Sequence, residues 1–164
     1  MTFSAWQNTL ILGSVSLLCL AFTVNIYKIP SVERGKLIYT KGIRENGQPI
    51  QATLSGATFN AKILPCINCH GNRGEGNPEG GVEPSPLDWT SLTKPYTMTF
   101  KNGRKREGYT VEQFAKAVGT GVDPSGNTLD AVMPLYDLNG QDVVDLIAYL
   151  KVIARQDAVG LNDS

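Results

Sequence analysis

The chain has 164 residues and a mass of 17.7 kDa, room for one domain plus a short appendage. Fifteen basic and fifteen acidic side chains cancel, which excludes the basic excess of a nucleic-acid binder. A composition of 41% hydrophobic and 18% charged residues excludes a disordered chain. Three cysteines are too few for a disulfide framework, and one histidine cannot build a two-histidine metal site.

Residues 1–27 carry no charged side chain, and the run 9–27 is mostly apolar. Its length is close to the 20 or so residues that span a bilayer core. A cleaved signal peptide would want a basic start and a small-x-small site. Here the start has no Lys or Arg, and Cys19-Leu20-Ala21 is a poor site. Bulky Leu18 argues against lipid attachment at Cys19. The reading is a membrane anchor or signal segment over 1–29, with the retained transmembrane helix favoured, followed by one domain over 30–164.

Beyond Pro30-Ser31, residues 32–40 read as a short helix with Gly35 and Tyr39 one turn apart. Residues 41–65 are irregular, with Asn46-Gly47 predicting a type I′ hairpin between Ile43 and Ile50. The stretch 71–81 holds so many glycines that it reads as loop. It lacks the lysine of a phosphate-binding loop and opens no helix, so it is expected to cover one face of the site. Asn102-Gly103 predicts a second hairpin over 97–106, whose Lys101, Arg104, Lys105 and Arg106 read as a solvated basic tip, with a docking patch as the functional alternative.

Thr110 followed by Gln113 fits a capping box, opening a helix that ends at Gly119 or Gly121. Asp123 to Asn127 reads as a turn. Asn139 caps a last helix with Asp142 in its first turn, and Val143, Leu146, Ile147, Tyr149, Leu150 and Ile153 form its apolar stripe.

Cys66-Ile67-Asn68-Cys69-His70 is C-x-x-C-H, the haem c attachment pattern. Two thiols three residues apart can form thioethers to two vinyl positions of one porphyrin. The next residue then lies under the ring, where its imidazole can bind the iron. A zinc knuckle would need a fourth ligand that the chain does not offer beside this motif. A thioredoxin-like site would want an α/β setting, not a preceding Pro65 and a following glycine loop. With His70 as the sole histidine, a second axial ligand falls to a methionine. Met1 lies at the membrane end and Met98 in a strand-like stretch. Met133 precedes Pro134, which fixes the backbone there, and is the preferred ligand.

These features together resemble the class I c-type cytochromes over roughly residues 31–155. The order matches: a first helix with Gly35 and Tyr39, then C-x-x-C-H, a proline-leucine stretch, a Met-Pro loop and a last helix. The resemblance implies a mainly α fold, helices packed around one covalent haem. Two small β-hairpins are inserted into it, and an N-terminal transmembrane helix precedes it. It implies that Gly35 lets the first helix approach the Leu146, Tyr149 and Leu150 face of the last. It implies that the carbonyl of Pro84 or Pro86 accepts the Nδ1–H of His70, and that Leu87 packs on the ring.

The implied metal ligands are His70 and Met133, with Cys66 and Cys69 holding one haem c. The implied function is one-electron transfer rather than enzymatic turnover, by a carrier or a subunit of a bacterial oxidoreductase complex. Its partners would be a redox donor and acceptor, with no nucleic acid. A haem enzyme or gas sensor with a labile sixth ligand is the alternative. Lys28 alone would favour a cytoplasmic body. Haem attachment outside the cytoplasm instead places the domain at the bacterial inner membrane, facing the periplasm or cell exterior.

Overall fold

The computed structural model describes residues 29–100 and 103–155; the expected anchor helix lies outside them. Among the described residues, no helix is long and apolar enough to cross a membrane.

Helix α1 spans Ser31–Lys41 and α5 spans Gly140–Leu150, and these two form the main helix pair. Between them lie β1 (Gln51–Leu54), β2 (Ala57–Asn60), α2 (Ile67–His70) and α3 (Trp89–Leu92). Then follow β3 (Met98–Thr99), β4 (Lys105–Arg106), α4 (Val111–Thr120) and β5 (Leu135–Tyr136). A 3-10 turn, Ile153–Arg155, succeeds α5.

Helices α4 and α5 each begin at a capping box. At α4, Thr110 Oγ1 accepts from Gln113 N, and the Gln113 side chain accepts from Thr110 N. At α5, Asn139 and Asp142 make the same reciprocal pair. Each box satisfies two amides that a helix start leaves without partners. Gly121 closes α4 in the left-handed region, the second of the two expected ends.

The crossing of α1 and α5 turns on Gly35. A Cβ placed there would lie 1.9 Å from the Asp145 carbonyl oxygen and 2.8 Å from Tyr149 Cβ. The close approach is therefore to the backbone of α5 and to Tyr149; Leu146 and Leu150 instead fill the core beside it. Tyr39 and Tyr149 pack with ring centroids 5.4 Å apart. Gly35→Ala forces two backbones apart, and overpacking of this kind costs about 3 kcal/mol. At roughly 3 °C per kcal/mol, the melting temperature should fall by about 10 °C. Thermal unfolding followed by circular dichroism checks this.

Two ion pairs on buried aspartates of α5 tie it to α1 and to the turn that follows α1. Arg34 Nε lies 2.6 Å from Asp145 Oδ2, and Arg44 Nη2 lies 2.8 Å from Asp142 Oδ2. Burial pushes the Asp145 carboxyl up, but hydrogen bonds from Arg34, Ser31 and Gln141 outweigh it and hold the group below the usual carboxylate range. A depressed carboxylate stabilises the fold fully above about pH 4 and loses that contribution as pH falls through its folded value. Asp145→Asn is expected to lower the urea midpoint at pH 7 and to leave less difference from wild type at pH 3.

The first hairpin sits further along the chain than Asn46-Gly47 predicts. A turn does form there, with Gly47 N donating to Arg44 O and a single bridge from Ile43 to Pro49. The true ladder is β1 against β2, with Ala52 opposite Phe59 and its turn at Ser55-Gly56. Ser55 also takes a positive φ of 51°, so both turn residues are left-handed, the backbone that a two-residue hairpin needs.

β1 pairs on its other edge with β5, giving a three-stranded antiparallel sheet in the order β2-β1-β5. The second hairpin, β3 with β4, forms where expected, with Met98 opposite Arg106.

Candidate functional site

The four-residue helix α2 carries C-x-x-C-H, and His70 is its last residue, only 6% exposed. Gly76 N donates to His70 O and Asn77 N to Cys69 O, so the glycine-rich loop folds back over the end of α2. Gly76 takes φ +86°, and a Cβ there would stand 2.4 Å from the Pro84 carbonyl oxygen. Only glycine lets this loop press against the next segment. Val82, Glu83, Pro84, Ser85 and Leu87 wall the cavity beside His70, and Pro78 to Gly81 line an adjoining cavity that shares Val82, Glu83, Arg104 and Asp130 with it.

His70 Nδ1 donates to a backbone carbonyl at 2.9 Å, and that carbonyl belongs to Ser85. The expectation of Pro84 or Pro86 is corrected by one residue. The prolines flank Ser85 and hold its backbone extended, which turns the carbonyl between them toward the ring. Pro84 and Leu87 line the cavity beside His70, whereas Pro86 is not part of its wall.

Because the Nδ1 partner is an acceptor, the proton sits on Nδ1 and Nε2 is left as a bare lone pair. Nε2 is buried and has no hydrogen-bond partner. Burial lowers the His70 pKa, partly opposed by the Ser85 bond, so the imidazole is neutral near pH 7.

His70 opens on a cavity of about 870 Å³, its open mouth included. Cys66, Cys69, Leu92, Tyr109, Phe114, Ala117, Val118, Leu129, Met133 and Tyr136 also line it, and its walls are mostly apolar. Helix α4 contributes Phe114, Ala117 and Val118, spaced i, i+3, i+4 on one face. Met133 also lines a second, smaller apolar cavity reaching toward Tyr39 and Leu146. Met98, the alternative ligand, lies on β3 and is not part of either wall.

Cys66 and Cys69 are in no disulfide and both line this cavity. Among the described residues, no group of His, Cys, Asp and Glu could hold a bare metal ion.

The family model for cytochrome c matches residues 32–154, the whole span from α1 to the end of α5 and its following turn. The chain belongs to the cytochrome c family. It therefore carries haem c, bound covalently, one haem being typical of the family, and its function is haem-based electron transfer. No curated protein and no solved structure matches the chain.

The residues present fit a c-type haem. A buried imidazole nitrogen with a free lone pair needs a partner, since orphaned polar atoms are rare in interiors. An iron held there by His70 would supply one. The sulfurs of Cys66 and Cys69 lie on the same wall, and the apolar lining suits a porphyrin face.

The basic tip of the cytochrome's second hairpin is not simply solvated. Lys101 lies outside the described residues and Lys105 is exposed, but Arg106 is only 1% exposed. Its guanidinium sits 4.7 Å from the Tyr109 ring and 5.6 Å from Phe100, and its Nη1 donates to Leu92 O and Glu107 O. Arg104 lines the cavity, ion-pairs with Asp123 at 3.2 Å and donates to Ser85 Oγ at 3.1 Å. A docking patch built from all four side chains is therefore corrected: two of them are used inside the domain. Asp123 also accepts from Ser125 N and Asn127 N, the turn the sequence predicts.

Sequence reasoning missed Ser85, Arg104, Tyr109 and Tyr136. The α4 face had a signal, an i, i+3, i+4 apolar set on a capped helix.

Proposed function

We propose that this chain is a class I, single-haem cytochrome c with His70 and Met133 as axial ligands, working as a one-electron carrier. The observation that carries the reading is the buried, unpartnered Nε2 of His70 in a cavity that Met133 also lines. Bound haem supplies a reversible one-electron couple at iron.

The protein's own residues do the rest. Cys66 and Cys69 tether the macrocycle. Ser85 O holds the Nδ1 proton, which fixes the tautomer and raises the basicity of Nε2. The Met133 thioether favours the reduced state relative to a second imidazole. Phe114, Val118, Leu87 and Leu129 exclude water from the cavity. With both axial positions filled, no substrate reaches the metal, which sets this reading against the enzyme or sensor alternative.

The uncharged run 9–27 supports an anchor that holds the domain at the bacterial inner membrane. The haem domain then faces the periplasm or exterior. Its partners are a redox donor and acceptor, as a free carrier or as a subunit of a membrane oxidoreductase.

A redox titration of the purified protein tests the carrier reading. A single reversible n = 1 transition, with ferrous protein that does not bind carbon monoxide, is the expected result. Rapid carbon monoxide binding to the ferrous form would move the open-site reading to the front.

A further inference from the structure

The β1–β2 hairpin is built into the segment that carries Met133. Met133 N donates to Asp130 O in a turn, Pro134 follows, and β5 begins at the next residue. β5 is held by β1, with Thr53 opposite Leu135 and Ala52 opposite Tyr136. Asp137 N extends the attachment by donating to Gln51 O at 2.9 Å.

The hairpin is itself anchored. Ala61 N donates to Ile50 O and Ile50 N to Gly42 O, while Ile50, Ala52 and Ala61 are at most 1% exposed. Tyr136 is 7% exposed, and its hydroxyl donates to Leu64 O at 2.7 Å. Leu64 lies two residues before Cys66. One phenol thus joins the strand behind Met133 to the segment entering C-x-x-C-H.

We infer that the hairpin and Tyr136 form a clamp that holds Met133 on the iron, with Tyr136 as a positioning residue. The inference rests on Met133 being the sixth ligand. For an external ligand to displace the thioether, the segment 130–136 must move, and the Tyr136–Leu64 bond and the β1–β5 pairing must loosen. These contacts exist only in the closed state, so each adds to the stability of the Met-ligated form. Their loss raises the open population without altering the iron's other ligands. A net hydrogen bond of ordinary strength corresponds to roughly a threefold to tenfold change in that equilibrium.

The test uses the haem-loaded protein and cyanide as the probe of the ferric sixth site. Tyr136→Phe removes only the hydroxyl. It should keep the resting thioether–iron absorption and bind cyanide about threefold to tenfold more tightly than wild type. Val143→Ala, in the α5 core and outside both cavity walls, weakens the fold without touching the clamp and should bind cyanide as wild type does.

Wild-type affinity in Tyr136→Phe, or an equal gain in Val143→Ala, overturns the clamp. Met133→Ala separates the two levels. If it leaves cyanide affinity unchanged, the ligand assignment fails and the clamp falls with it. If it raises affinity while Tyr136→Phe does not, only the clamp falls. Hydrogen exchange on wild type needs no variant. Cyanide binding should speed exchange at the Asp137 amide but not at the Val143 amide, and unchanged exchange at Asp137 contradicts the inference.

Discussion

Replacing Cys66 and Cys69 together by serine is expected to turn a haem that survives acid–acetone extraction into one that is fully extracted. In wild type the denatured chain should stay coloured, and its mass should exceed that of the polypeptide by one haem. The physical reason is that two thioethers are the covalent links the site offers. Both sulfurs belong to the short segment around α2, on the wall that also carries His70. In the double variant the haem is held by axial ligation and apolar packing alone, neither of which survives acid. Retention of colour after extraction would place the attachment elsewhere in the chain. Single variants should keep one link each and retain haem with altered absorption, which makes the double variant the decisive one.

Met133→Ala should abolish the weak long-wavelength absorption of thioether–Fe(III) ligation, lower the potential, and admit cyanide or carbon monoxide. The thioether is a soft ligand that favours Fe(II), so its loss shifts the couple toward the oxidised state. It is also the internal competitor for the sixth position. If the open state is populated at about 1% in wild type, removing the competitor raises cyanide affinity on the order of 100-fold. Met98→Ala should do none of this, because Met98 sits on β3 and lines neither cavity. An exchange of behaviour between the two variants would move the ligand to Met98.

What could be read in advance follows from the range of the forces involved. The caps of α4 and α5 lie within three residues of the helices they start, so Thr110–Gln113 and Asn139–Asp142 were visible in the sequence. The C-x-x-C-H spacing is equally local. β5 was not visible: two residues between Pro134 and Leu138 become a strand only because β1, far away in the chain, offers them an edge.

The same distinction explains Ser85 and Arg106. The Pro-Ser-Pro segment was found, but which carbonyl meets His70 depends on the path of the loop, which Gly76 helps to set. Arg106 carries a charge and sits near a turn, so it reads as solvated. Its burial comes from Phe100 and Tyr109, aromatic rings on either side of it in sequence that fold onto its guanidinium. No local pattern reports that arrangement.

Near-infrared magnetic circular dichroism of the purified ferric protein tests the central claim, that His70 and Met133 together fill both axial positions. A low-spin spectrum with the charge-transfer band of thioether ligation is the predicted result. A high-spin spectrum, or a low-spin one with the band of two nitrogen ligands, would contradict it.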